Sequence, residues 1–203
     1  MSPERLVSNI SRDDLQAVVT LMETFSPPWF VAGGWAVDLF LGRVTRKHED
    51  LEIGIARQDQ AHLHAHLPGW RLYKIVRGEL LLWRQEEWLE RPVHQIVAQQ
   101  EQANPSEFEF LLNDLSGGEW LFRRDPRIRR PVDEIYLRTE QGIPISAPDI
   151  QLLYKSTWHQ SKDEHDFRTV LRRLGPLRRS WLKQALEVYR PDDPWLDELA
   201  RAT

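Results

Sequence analysis

The chain predicts an α+β fold, a mixed sheet with flanking helices followed by a C-terminal helical lobe, on three observations. Short apolar runs bounded by glycine, proline and polar clusters recur from residue 29 to 145, the mark of strands. Helix-period segments stand between and before the first of these runs. Beyond Ser146 the pattern turns wholly helical. The expected organisation is an α/β lobe over 1–146 and a helical lobe over 147–203 packing against it.

The elements follow in order. Ser11 and Asp14 have capping-box spacing, and Leu15, Val18, Val19 and Met22 follow on one helical face, so a helix is expected to end before Pro27-Pro28. Residues 29–32 read as a short buried strand. Residues 34–41 read as a helix stopped by Gly42. Residues 43–49 are a polar loop and 51–55 the next strand. A helix is expected over 58–67, then strands over 71–75, 80–84 and 93–97. Glu107 to Leu112 begins with polar and apolar residues in alternation, the period of a half-buried strand, and 113–118 is expected to turn. A strand over 120–123, a basic loop over 124–131 and a hairpin of 135–138 with 143–145 complete the lobe. Ser146-Ala147-Pro148-Asp149 has capping-box spacing with proline in the first turn. Helices are expected over 150–159, 163–174, 176–189 and 195–202.

With 203 residues the chain is long enough for one good core or two small lobes. A net charge of -4 argues against a general nucleic-acid binder, which carries a basic face. There are no cysteines, so thiolate metal sites and disulfides are excluded. No apolar run reaches membrane-spanning length and no basic-then-apolar leader opens the chain, so a cytoplasmic protein is expected. Nine tryptophans are many for this size, and most should pack in the core or at lobe seams.

The chemistry concentrates between residues 33 and 52. Gly33-Gly34 stands at the expected strand-to-helix turn, where glycine lets backbone approach a phosphate at a helix N-terminus. Asp50 and Glu52 lie two apart on the next strand and so share a face. Two such carboxylates repel each other when buried and need a cation. Oxygen-only ligands without cysteine favour magnesium or manganese. A phosphate cradle beside a divalent-metal site is what nucleotidyl transfer requires. Asp38, set between Val37 and Leu39, is expected to brace the loop that carries Arg46 and His48.

The wording Gly33-Gly34-Trp35-Ala36-Val37-Asp38, then Leu41-Gly42-Arg43-Val44-Thr45-Arg46-Lys47-His48-Glu49-Asp50, resembles the aminoglycoside 2''-nucleotidyltransferases within the nucleotidyltransferase superfamily. The close resemblance covers about the first quarter of the chain. It departs from the family at Glu52, which stands for the usual second aspartate and reaches one methylene further. The resemblance implies that Asp50 and Glu52 hold one or two magnesium ions, and that the amides of Gly33 and Gly34 face the β- and γ-phosphates of a nucleoside triphosphate, ATP by expectation. It implies that Arg46 and His48 attend the site. It also implies a third carboxylate from a neighbouring strand as second-metal ligand or general base. Glu109 is the first choice and Glu107 the second, with Asp114 set aside because it falls in the expected turn. Lys155, in Leu152-Leu153-Tyr154-Lys155 followed by Lys162-Asp163 and Asp166, resembles a pattern of several nucleotidyltransferase-like families and is expected to reach the triphosphate. Asp163 and Asp166 share a helix face and are expected to cap and tie.

Two further patterns have simpler readings. Arg123, Arg124, Arg127, Arg129 and Arg130 interleave with Asp125, Asp133 and Glu134, so mutual ion pairing is expected in place of RNA binding. His62-x-His64-x-His66 puts only His62 and His66 on one helix face, without a carboxylate to complete a metal set.

The expected activity is metal-dependent transfer of a nucleoside monophosphate, AMP from ATP, to a hydroxyl of a small molecule, with release of pyrophosphate. The resemblance makes that acceptor an aminoglycoside-type antibiotic. Such a polycation needs an acidic lining, for which Glu86, Glu87, Glu90, Glu107 and Glu109 are candidates. The alternatives are a catalytically weak nucleotide-binding module, and a nucleotidyltransferase acting on tRNA or protein.

Overall fold

The computed structural model describes Arg5 and residues 9–201. In chain order the elements are α1 (Arg12–Met22), β1 (Trp29–Val31), α2 (Gly33–Leu41), β2 (Glu52–Ala56), α3 (His62–His66), β3 (Arg71–Val76), β4 (Glu79–Leu82), β5 (Gln95–Gln99) and β6 (Glu107–Ser116). They continue as β7 (Glu119–Leu121), β8 (Arg129–Pro131), β9 (Tyr136–Arg138), β10 (Pro144–Ser146), α4 (Pro148–Lys155), α5 (Ser161–Leu171), α6 (Pro176–Tyr189) and α7 (Trp195–Arg201). The fold is α+β, with a mixed sheet and helices, and the last four helices follow without an intervening strand. Contacts gather these elements into two compact units that interleave along the sequence. One comprises residues up to Ala32 together with Arg46–Leu115, the other Gly33–Thr45 with Ser116–Thr203. Residue 146 thus marks a change of secondary-structure type, whereas packing groups α2 with the C-terminal helices.

The first unit is organised by strand order β4-β3-β5-β6-β2-β1. β2 and β6 run parallel and their neighbours pair antiparallel. Gly54 lies opposite Phe30 in the β1–β2 ladder. A Cβ at position 54 would stand 2.2 Å from the Phe30 ring, so glycine is what lets the aromatic cover the strand. Phe108 and Phe110 fill one face of β6, with Trp70 edge-on to Phe108 at 5.0 Å between centroids. α1 carries the capping box: the Ser11 hydroxyl accepts from the Asp14 amide, and Asp14 accepts from the Ser11 amide.

Three expectations are corrected here. The helix over 58–67 shrinks to a 3₁₀ turn and the five residues of α3. From α3, His64 packs on Trp83 at 4.2 Å and His66 meets Phe25 at 5.0 Å. Burial lowers both imidazole pKa values below the usual range. Residues 113–116 do not turn. β6 runs on to Ser116 and the reversal falls at Gly117-Gly118, both with positive φ. Asp114 is therefore a strand residue on the Phe108 face, ion-paired with Arg57 at 2.6 Å and Arg91 at 3.1 Å.

In the second unit, α2 packs on α4, α5 and β10, and α4 and α7 pack on α6. The hairpin of β9 and β10 forms with Pro144 opposite Arg138, and β7 pairs with β8. The third correction lies here. Ser146 does not cap α4, whose N-cap is Ala147 without a side-chain bond. Asp149 is fully buried between the guanidinium groups of Arg130 and Arg178, the latter at 2.8 Å. An ion pair across the unit wins over the local cap because two arginines are available to a carboxylate that has left water.

His159 also shapes this unit. It holds a left-handed backbone at φ +46°. Its Nδ1 lies 2.8 Å from Glu164 and its Nε2 3.0 Å from Asp193, with the ring edge-on to Trp195. Partial burial pulls its pKa down, but the two carboxylates outweigh that and hold it above the ordinary value. The folded pKa exceeds the unfolded one, so this stabilisation is present below about pH 6.5 and is lost as pH rises through the folded pKa. Denaturant midpoints measured from pH 6 to pH 9 should fall over that window, and His159→Gln should flatten the slope.

Candidate active site

The carboxylates gather on the sheet of the first unit. Glu52, at the start of β2, is the register partner of Glu109 on β6. The parallel ladder is anchored there by the Glu109 amide, which donates to the Leu51 carbonyl at 2.8 Å. Glu107 is opposed by Gln99 on β5 in the antiparallel ladder, and Glu109 by Val97. Side chains at 52, 95, 97, 99, 107 and 109 therefore share one face. Asp50, just before β2, acts on Glu109 as a like charge.

This face is not the exposed flank that the alternation in the sequence predicts. Glu107 is 5% exposed and Glu109 3%. Each of their four oxygens is engaged. The Gln95 side-chain amide donates to Glu109 Oε2, and that of Gln99 to Glu107 Oε2 at 2.7 Å. Arg5 bridges the remaining oxygens, Nε to Glu107 Oε1 at 2.7 Å and Nη2 to Glu109 Oε1. Burial still holds the Glu109 carboxyl above its ordinary value; Arg5 and Gln95 pull it down, and Asp50 pushes it further up.

Arg5, Gln95 and Gln99 are the residues that sequence reading missed. The two glutamines had a signal, four apart on a strand and so on one face. Arg5 had none, because its contacts lie more than a hundred residues away.

No group of three or more His, Cys, Asp or Glu side chains forms a metal cage among the described residues. Magnesium keeps several waters and takes one or two carboxylates plus substrate phosphates. Asp50 and Glu52, oxygen donors and both half-buried, suit that role.

The remaining candidates fall in different places. Within the first unit, Arg46 Nη1 lies 3.2 Å from His48 Nδ1 and donates to the Lys47 carbonyl. His48 is buried and its backbone bridges to Ile10. In the second unit, α2 begins at Gly33, whose φ of +64° only glycine adopts freely. The Gly33 amide donates to the Gln151 side chain at 3.1 Å. Asp38 accepts from the Thr45 hydroxyl at 2.5 Å and so braces that loop. Lys155 does not reach outward: its ammonium lies 3.2 Å from Asp163 and 2.9 Å from Asp166. Asp163 also accepts from the Gln160 amide, capping α5. Glu87, a proposed acidic lining residue, is paired with Lys74 instead. Three of the arginines of 123–130 are engaged inside their unit. Arg124 donates to Tyr154 and Thr157, Arg127 pairs with Asp125, and Arg130 with Glu134 and Asp149.

The strand order and the register of β2 with β6 describe the mixed sheet of an α+β fold. Comparison with known proteins refines this. The aminoglycoside-2''-adenylyltransferase family model matches residues 14–75. A 2''-aminoglycoside nucleotidyltransferase from Escherichia coli is 45% identical over 38 residues, 19% of this chain and 22% of that protein. The match thus spans about a fifth of that curated relative. A lincosamide resistance protein from Staphylococcus haemolyticus is 23% identical over 78% of this chain and 92% of its own. Among solved structures, lincomycin-bound lincosamide adenylyltransferase LnuA superposes with a TM-score of 0.57 at 19% identity, covering 80% of this chain and 98% of that one. ANT(2'')-Ia in complex with adenylyl-2''-tobramycin gives 0.57 at 13% identity, covering 87% and 95%. The chain has the nucleotidyltransferase fold and resembles the antibiotic nucleotidyltransferases. No helix among the described residues is long and apolar enough to cross a membrane.

Proposed function

We propose that this protein is an antibiotic nucleotidyltransferase that moves AMP from ATP to a hydroxyl of a small cationic acceptor of aminoglycoside type and releases pyrophosphate. The observation that carries the reading is the register of Glu52 on β2 with Glu109 on the adjacent β6, with Asp50 just before β2; it supports Asp50 and Glu52 as a ligand pair and Glu109 as the base.

Asp50 and Glu52 hold the metal. Magnesium, when bound, neutralises the triphosphate and so favours attack at the α-phosphorus. Glu109 accepts the proton of the acceptor hydroxyl as its oxygen bonds to that phosphorus, and buried position raises its basicity for the task. In its own unit, the start of α2 offers the positive end of a nine-residue helix to phosphate oxygens, although the Gly33 amide, expected to face phosphate, is given to Gln151. The buried pair Glu107 and Glu109 supplies the negative charge for acceptor amines. Lys155, already between two aspartates, acts in this reading as a strut of the helical unit. The acceptor is taken to be a small molecule because the proteins it resembles act on antibiotics and because Arg127 and Arg130 are paired with carboxylates of their own unit.

The test is incubation with labelled ATP, magnesium and a panel of aminoglycosides and lincosamides, with mass spectrometry of the acceptors. The expected result is pyrophosphate release that needs both acceptor and magnesium, with an acceptor gaining the mass of AMP. ATP binding without transfer to any acceptor would overturn the enzyme reading in favour of a nucleotide-binding module. Transfer to tRNA alone would overturn the acceptor.

A further inference from the structure

The geometry points to Arg5 as an internal surrogate for the acceptor: its guanidinium occupies the cation subsite formed by Glu107 and Glu109, and a cationic acceptor must displace it to bind. The inference rests on the proposed function for the identity of the acceptor and on the structure for the competition.

The subsite has a fixed side and an exchangeable side. Gln95 and Gln99 hold one oxygen of each carboxylate from β5, inside the same sheet. Those bonds join neighbouring strands of one sheet face. The other oxygen of each, Oε1 of Glu107 and Oε1 of Glu109, accepts from the Arg5 guanidinium. Arg5 belongs to no helix or strand, and its side chain is 39% exposed while the carboxylates it bridges are 5% and 4% exposed. A buried acidic pair is thus met by a tethered cation from solvent.

The bridging mode also describes the ligand that fits. Two N–H donors on one rigid cationic group reach two carboxylates two residues apart on one strand. A small molecule with two ammonium groups on a rigid ring satisfies the same two oxygens. Such a ligand gains nothing while Arg5 is in place, because both oxygens are taken. Its apparent affinity is lowered by the fraction of molecules in which Arg5 is engaged. The device would keep the acid pair neutralised until a polycation outcompetes a single guanidinium, and so discriminate against monocations.

The inference is tested by calorimetric titration of the full chain with tobramycin, and separately with spermidine, without nucleotide and at low salt. Wild type, Arg5→Ala and Arg5→Lys are compared, each with a thermal unfolding curve. Arg5→Ala is expected to bind tobramycin about tenfold more tightly than wild type, with Arg5→Lys between them. Adding Glu107→Gln to Arg5→Ala should abolish the gain. Raising the salt should narrow the difference, since both competing pairs are screened. Unchanged or weaker binding in Arg5→Ala, with a lowered unfolding temperature, is what a purely structural counter-ion gives and would overturn the inference. A chain that transfers AMP but shows no Arg5 effect on affinity loses this inference alone. A chain that transfers nothing, yet binds either polycation more tightly without Arg5, loses the proposed reaction and keeps the competition. Failure of every variant to bind either polycation overturns both.

Discussion

Asp50→Ala should lower acceptor-dependent AMP transfer about a thousandfold or more while leaving the protein folded. A metal ligand contributes several kcal/mol of charge stabilisation, and each 1.36 kcal/mol is a factor of ten in rate. Asp50 is half-buried and precedes β2, so its truncation opens no core cavity and should cost little stability. The loss should appear in kcat at saturating ATP, with an unfolding curve close to wild type. A second readout separates the electrostatic role from damage. Asp50 is one of the groups that push the Glu109 carboxyl up. Removing this like charge should move the Glu109 titration toward lower pH, which is visible by NMR of a labelled side-chain carboxyl. Near wild-type turnover in Asp50→Ala would remove Asp50 from the metal site and with it the reading of the Asp50 and Glu52 pair. Glu52→Asp is the companion, because it shortens the second ligand by one methylene to the length usual in the resembling family. If reach limits the metal geometry, that variant gains activity.

What was legible in the sequence was local or periodic. Ser11 and Asp14 announce the start of α1 because both halves of a capping box lie within four residues. Gly42 announces the end of α2, and its φ of +71° is what a helix stop of this kind requires. Glu107 and Glu109 fall on one face because the period of a strand is two. What was illegible was the partner of each side chain. The alternation in β6 reads as one wet face and one dry face, yet both are buried, because Gln95, Gln99 and Arg5 close over the glutamates. Asp149 reads as a cap residue and serves as the counter-ion of two arginines brought from 19 and 29 residues away. Lys155 reads as a phosphate ligand by its motif, but two aspartates at helical spacing on α5 hold it. In each case the local pattern named the residue and its face, while the choice among partners was made by chain segments that no local pattern can bring together.

Glu109→Gln should reduce kcat by a factor of roughly a hundred to ten thousand, the range for loss of a general base. The amide has nearly the shape of the carboxylate but cannot accept the proton. Of the two glutamates on the face, position 109 is the one in register with Glu52. Glu107 is displaced along β6 by two residues, roughly 6.8 Å. Only one of them can meet a hydroxyl held beside the ligands on β2. Glu107→Gln should therefore act on KM for the acceptor more than on kcat, since it removes one charge from the cation subsite and leaves the base in place. The opposite split, with kcat lost in Glu107→Gln and KM raised in Glu109→Gln, would exchange their roles. The amide at 109 can turn to keep one of its two present contacts, accepting from either Gln95 or Arg5 but not both. A buried donor is then left facing a donor, so unfolding should be followed alongside rate. If the rate falls while the unfolding curve holds, the base has been removed; if both fall together, Glu109 serves the sheet and the proton must leave by another group.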